Sequence, residues 1–462
     1  MEMKKYKLKE ICEIIPGYAF KSSDFGNGFN MAIKITDINP PCINLSNINN
    51  VLSTPKDPRT RVVKGDFVMA MTGATIGKIG RLLQDVGNVY INQRVCKFEP
   101  KENVDKDFLF YLLSLDQFKK FIFANIDSSS AQPNIGHPTL YNYELSLPEL
   151  SVQQKIAAVL SSLDDKIALN RRINAKLEAM AKRLYDYWFV QFDFPDENGK
   201  PYKSSGGKMV WNEELKREIP EGWKVKSLGD VLDNSIYSTT AGDHLKNLDY
   251  CPIDEIPMRT MSFANGKSYK EANSSLQLYA RKDILIGAMR VYFHRCCIAS
   301  KPGITRTTTI VLKPKEKTYL NYLYQVCNEE KTFNFAMKVS NGTQQPYVTW
   351  NALSEYQFAY PNNTNLIKVF CNKIDASIDK NLVNVQEIEK LTSLRDFLLP
   401  MLMNGQVKVE DNLQQNEVVI PFKDNYERKF ELWLENQGLA ARGTVSRKTL
   451  RAIFDAMDDD DK

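Results

Sequence analysis

Histidine is scarce in this chain of 462 residues: there are 3, His137, His244 and His294, and no two stand at the spacing of paired ligands on one helix. A catalytic centre built on several histidines is thereby excluded, although one would suffice for a triad. The 8 cysteines are scattered, only Cys296 and Cys297 are adjacent, and there is no C-x-x-C pair. Neither a zinc knuckle nor a disulfide framework has its spacing, and a reducing cytoplasm fits this usage best. No stretch approaches the roughly 18 apolar residues of a membrane span, and Met1 to Glu10 alternates lysine with single apolar residues instead of showing a secretory signal. Charge of one sign is lacking too. With 61 basic against 56 acidic residues the net charge is +5, too little to argue for a polyanionic partner by itself.

What is present is ordinary globular material. Hydrophobic residues at 43% and charged residues at 25% exclude a disordered or fibrous chain, and the length suits two or three soluble domains. The chain also repeats itself. Lys64 to Met71 reads like Arg281 to Ala288, a turn with an Asp followed by a buried-strand run. Val89 to Lys101 matches Gly303 to Lys315, and the helical stretches Asp107 to Phe121 and Lys317 to Phe335 follow. Each copy then has a polar loop and a short strand ending in proline, Ser128 to Asn134 with Pro148, and Ser340 to Pro346 with Pro361. Such order, met twice, predicts duplicated mixed α/β (α+β) domains over about 1–150 and 221–365.

A helix with a narrow apolar seam follows each domain, over 151–190 and 366–407. In the first, Ile156, Leu160, Leu163, Ile167, Asn170, Asn174, Leu177, Ala181, Leu184 and Trp188 recur at steps of three and four. The second carries Phe370, Ile374, Ile378, Val385, Ile388, Leu391, Leu394 and Leu398. Helices of about 35 residues span roughly 50 Å and cannot leave such stripes wet, so the two are expected to pack on each other as an antiparallel coiled coil. Leu163, Ile167, Asn170, Leu177, Ile374, Ile378, Asn381 and Ile388 are the expected interface, with Asn170 and Asn381 either fixing register or tolerated near solvent. The stretch 191–220 reads as a surface linker. The tail 408–462 holds two short amphipathic candidates between Asn425 and Met457 and closes on Asp458 to Lys462.

Catalytic signatures are weak. Gly73 to Lys78 is one residue short of a phosphate-binding loop, and Ile79 stands where a magnesium-binding hydroxyl belongs. It reads better as a tight turn, with a backbone contact to DNA phosphate as a further option. Asp196 with Glu214 and Lys216 has the residue types of a magnesium nuclease, but these flank a flexible stretch rather than adjacent strands. No loop for S-adenosylmethionine is evident. The amide-rich loops are more informative, because amide side chains can pair bidentately with adenine. Ser130, Gln132 and Asn134 in the first copy, and Thr343, Gln344, Gln345 and Tyr347 in the second, are DNA-contact candidates, beside the reading that they merely cap turns. Gln93 and Arg94, replaced by Thr305 and Arg306 in the second copy, join them, with Lys21, Thr72, Lys78 and Arg290, the last as a guanine reader.

The chain resembles the specificity subunit of a type I restriction-modification enzyme over about 1–407. The resemblance is carried by the two seam helices, Ser130 to Ile135, Gly342 to Tyr347, Leu184 to Val190, Ile219 to Trp223, Lys390 to Pro400 and Leu402 to Gly405. It implies two target-recognition domains, each reading half of a split DNA sequence, held apart by helices that dock two methyltransferase subunits. Restriction subunits would complete the complex. S-adenosylmethionine, ATP and magnesium would be held by partner chains, this chain being non-catalytic in an adenine methyltransferase and endonuclease assembly. A self-sufficient nuclease and a scaffold that does not bind DNA remain the alternatives.

Overall fold

The computed structural model describes residues 3–46, 48–126, 133–263, 266–342, 345–407, 409–412 and 417–419. Ser130, Gln132, Thr343, Gln344 and the tail candidates between 425 and 457 lie outside them. The chain forms two compact units, Met1–Asp164 with Ser393–Lys462, and Asp165–Thr392. Each therefore contains one globular region and part of both long helices.

In the first unit the run Phe67–Ala70 is buried at every residue, as expected of an inner strand with both faces covered. It pairs antiparallel with Val95–Pro100 and Ile79–Arg81, in a six-stranded sheet ordered Cys12–Pro16, Val95–Pro100, Phe67–Ala70, Ile79–Arg81, Cys42–Ile43, Ile38–Asn39. A second sheet runs Asn49–Val51, Phe25–Ile33, Asn88–Ile91, Arg61–Val62, its central pair parallel with Ile91 opposite Ile33. Helix Lys106–Ser114 starts where Asp105 accepts a hydrogen bond from the Phe108 amide at 2.8 Å, satisfying one of the free N–H groups of the first turn. Lys4–Lys7 pairs with Glu144–Leu147, closing the globular region just before the central helix, Leu150–Tyr185.

The second unit repeats the plan. Ile284–Gly287, again wholly buried, lies between Thr309–Pro314 and Cys296–Ala299, and Lys224–Ser227 pairs with Gln357–Tyr360 before the distal helix, Asn365–Met403. The turn before the buried strand also recurs. Gly65 and Lys282 both have positive φ, and the Asp66 and Asp283 carboxylates accept from the Val63 and Ala280 amides. One difference stands out at the sheet edge. In the first unit the outer strand Asn49–Val51 joins Phe25–Ile33, whereas in the second the outer strand Tyr237–Thr239 joins the opposite flank, on Leu276–Tyr279. Duplication has kept the central strands and let the edge diverge. The stretch read as linker is partly ordered, with a hairpin of Met209–Asn212 and Arg217–Pro220.

Candidate nucleic-acid interface

Three segments of the first unit meet at one edge. The Met71 amide donates to the Arg94 carbonyl at 2.9 Å, Gly73 to Pro133 at 2.9 Å, and Ile135 to Met71 at 3.2 Å, with Thr72 bridging Asn134. A fourth, Gly17–Lys21, is attached where Tyr18 bridges Asn92 and donates to Ile91 at 2.9 Å. Gly17 is required here, since a Cβ would stand 1.9 Å from the Asn92 carbonyl oxygen. Lys21, Gln93, Arg94 and Asn134 are exposed around this junction, as is Lys78 on the neighbouring turn. Thr72 is half-buried, and its hydroxyl has no partner among the described residues.

The second unit builds the same junction from other residues. Ala288 donates to Thr308 at 2.9 Å, Arg290 to Pro346 at 2.8 Å and Val348 to Ala288 at 2.9 Å, with Met289 bridging Tyr347. Asn341 and Tyr347 exchange two backbone bonds of 2.9 Å and so close the base of the amide-rich loop. Gln345, Tyr347 and Arg290 are exposed. The expected match of Gln93 and Arg94 to Thr305 and Arg306 is off by two residues. Thr308 accepts the bond that Arg94 accepts, so the counterparts are Thr307 and Thr308. Thr305 is fully buried and bonds Thr309 at 3.0 Å, while Arg306 ends its strand half-buried. Matching one arginine to another obscured the register, and the connecting loop is one residue shorter in this copy.

The turn resembling a phosphate loop is a 3-10 turn between strands, with Gly73 at φ 73° and Gly77 at φ 77°. The nuclease candidates are occupied otherwise. Asp196 accepts from the Asn198 and Lys200 amides at 2.8 Å, capping a turn, and Glu214 accepts from Gln357 at 3.3 Å. Among the described residues no three His, Cys, Asp or Glu side chains are grouped to hold a metal, and no described helix is long and apolar enough to cross a membrane.

The long helices pack on each other within each unit. In the first, Leu163 is buried and Arg395 of the distal helix binds Asp164 of the central helix at 2.8 Å, the second Asp164 oxygen accepting from the Tyr111 hydroxyl at 2.7 Å. In the second, Ile167, Asn170, Ile374, Ile378 and Asn381 are buried, while Leu177 and Ile388 are half-buried. Amides cross this seam in a chain. Asn170 donates to Glu387 at 3.0 Å, Asn384 to Asn174 at 2.7 Å, Asn174 to the Asn381 carbonyl at 3.4 Å and Asn381 to Glu178 at 2.9 Å. Burial pushes the Glu178 carboxyl above its ordinary range, against the weaker opposing pull of the Asn381 amide.

The two junctions carry exposed polar side chains at strand ends, on a frame held by backbone hydrogen bonds. The family model for the type I restriction modification DNA specificity domain matches residues 1–179 and 220–395. The type I restriction enzyme MjaIX specificity subunit of Methanocaldococcus jannaschii is 29% identical over 335 residues, 69% of this chain and 73% of that protein. The HindI specificity subunit of Haemophilus influenzae is 24% identical over 418 residues, covering 78% and 90%. The crystal structure of a type I restriction-modification S subunit from M. genitalium shares the fold, with a TM-score of 0.54 at 15% identity over 87% of this chain and 96% of that one. With most of its length inside the family model, the chain belongs to the specificity subunits of type I restriction-modification systems, the DNA-recognising component.

Proposed function

We propose that each junction reads one half of a bipartite DNA target, and that the paired helices fix the spacer and dock two modification subunits. The observation that supports this is the recurrence of one backbone frame, Met71–Arg94 with Gly73–Pro133 and Ala288–Thr308 with Arg290–Pro346, dressed with different side chains. Shared scaffolding with divergent side chains is what two readers of different sequences need, since phosphate contacts position and base contacts specify. Asn134, Gln93 and Arg94 would contact the first half, and Gln345, Tyr347, Thr307 and Thr308 the second. Lys21, Thr72 and Lys78 suit phosphate. S-adenosylmethionine, ATP and magnesium would belong to the modification and restriction partners, with adenine as the methylated base. The test is to co-express the chain with its modification subunit and map methylated sites. A split motif with a fixed spacer is expected. Methylation without a motif would refute the reading, and DNA cleavage by the isolated chain with magnesium would favour the nuclease alternative.

A further inference from the structure

The turn beside the reading loop contains an internal comparison. In the first unit it runs Gly73-Ala74-Thr75-Ile76-Gly77, with left-handed backbone at both glycines. In the second the same turn, fixed by the same backbone bonds, is Arg290-Val291-Tyr292-Phe293-His294, and Arg290 and His294 are left-handed at φ 51° and 50°. Glycine adopts this conformation freely, whereas a residue with a Cβ is strained there and stays only where its surroundings over-determine it.

His294 shows what does the holding. Its ring is buried, stacks on Phe333 with centroids 3.8 Å apart, and reaches the Asn328 side chain at 2.9 Å through Nε2. Burial pulls the imidazole below its ordinary value, so the ring is neutral and serves as a peg. The His294 carbonyl accepts from Arg259, whose guanidinium binds Glu330. At the other end the Arg290 amide is tied to Pro346, immediately before Tyr347.

The Arg290 side chain takes no part in this fixation. It is exposed and has no side-chain hydrogen bond or ion pair among the described residues, whereas nearby Arg295 is tied to the Asp254 and Ile256 carbonyls. Strain is thus retained at a position whose side chain stabilises nothing visible, next to the loop that would enter the groove. We propose that Arg290 is a specificity-determining residue that reads a guanine in the half-site of the second unit, a contact for which the first unit, with Gly73, has no equivalent. A guanine edge suits its fork, which pairs bidentately with O6 and N7. A phosphate contact is the rival assignment; it would carry no sequence information, whereas a side chain present in one copy only is what two different half-sequences require.

This inference rests on the bipartite reading above. Its test uses the full chain co-produced with its modification subunit, methylating a plasmid library with randomised half-sites. Arg290→Gly, which relieves the strain, is expected to melt at or above the parent temperature. Its motif should lose discrimination at one G·C pair of one half-site by roughly 10- to 100-fold, the other half unchanged. Arg290→Lys should relax the same position while keeping overall affinity, because the charge remains but not the fork. An unaltered motif in Arg290→Gly would overturn the inference, as would weaker methylation of every site with the motif intact, the mark of a phosphate contact. A parent protein with no split motif would sink the underlying reading instead.

Discussion

At the scale of single residues, the clearest energetic consequences come from buried charge. Arg395 and Asp164 have side chains only 15% and 17% exposed, and Tyr111 bonds the same carboxylate. Removing the guanidinium leaves that carboxylate poorly solvated, with the phenol as its one hydrogen-bond partner among the described residues, so Arg395→Ala should cost about 2 kcal/mol, read as a lower denaturant midpoint with unchanged slope. Arg395→Lys should recover part of the loss. Glu178 offers a pH signature. Its folded pKa is raised by burial, so the native state holds the proton more tightly than the unfolded chain. Stability from this group is therefore greatest below the unfolded value near 4.5, falls as pH rises to the folded value, and stays reduced above it. Glu178→Gln keeps an acceptor for Asn381 and removes the charge. The mutant should be more stable than the parent at pH 7, with the advantage vanishing at acid pH, as thermal melts across that range would show; a constant difference would contradict the assignment.

At the scale of elements, the seam helices show what a sequence discloses and what it hides. Their apolar spacing makes Ile167, Ile374 and Ile378 legible as an interface, and Asn170 and Asn381 stand out because amides interrupt an apolar stripe. Asn384 is equally buried and bonds Asn174, yet the sequence does not mark it, because a heptad count passes from Ile378 to Val385 without it. The frame of strands was legible from buried runs and turn aspartates. The register at Thr307 and Thr308 was not, since no residue type marks the end of a strand among threonines and Arg306 imitates Arg94. Nor does sequence announce a left-handed Arg290, whose amide is tied to Pro346. The amide chain yields its own prediction. Asn384→Ala leaves the Asn174 acceptor buried and unpaired and should cost about 1–2 kcal/mol. Replacing Asn174 and Asn384 together by leucine removes both polar groups and should cost less than the single change, a negative coupling that a double-mutant cycle on unfolding free energies would measure.

At the scale of the whole molecule, the proposed ruler ties helix length to DNA spacing. Each residue of helix advances about 1.5 Å and turns about 100°, whereas each base pair advances about 3.4 Å and turns about 34°. Deleting four residues from one helix alone shortens it by about 6 Å and throws the seam out of phase, so Asn170, Asn174, Asn381 and Asn384 lose their partners. Target methylation should then fail or its preferred spacer change. Deleting seven residues from each helix around the Asn174–Asn384 pairing preserves the seam, because seven residues make nearly two whole turns. The shortening is about 10 Å, close to three base pairs. The expected outcome in a library of targets with varied gaps is loss of the parental spacer in favour of a shorter one, by at most about three base pairs, because each base pair removed also turns the half-sites by about 34° while the heptad leaves the helices nearly unrotated. An unchanged spacer in the seven-residue variant would mean that the distance is set by the modification subunits and that these helices serve as their dock alone.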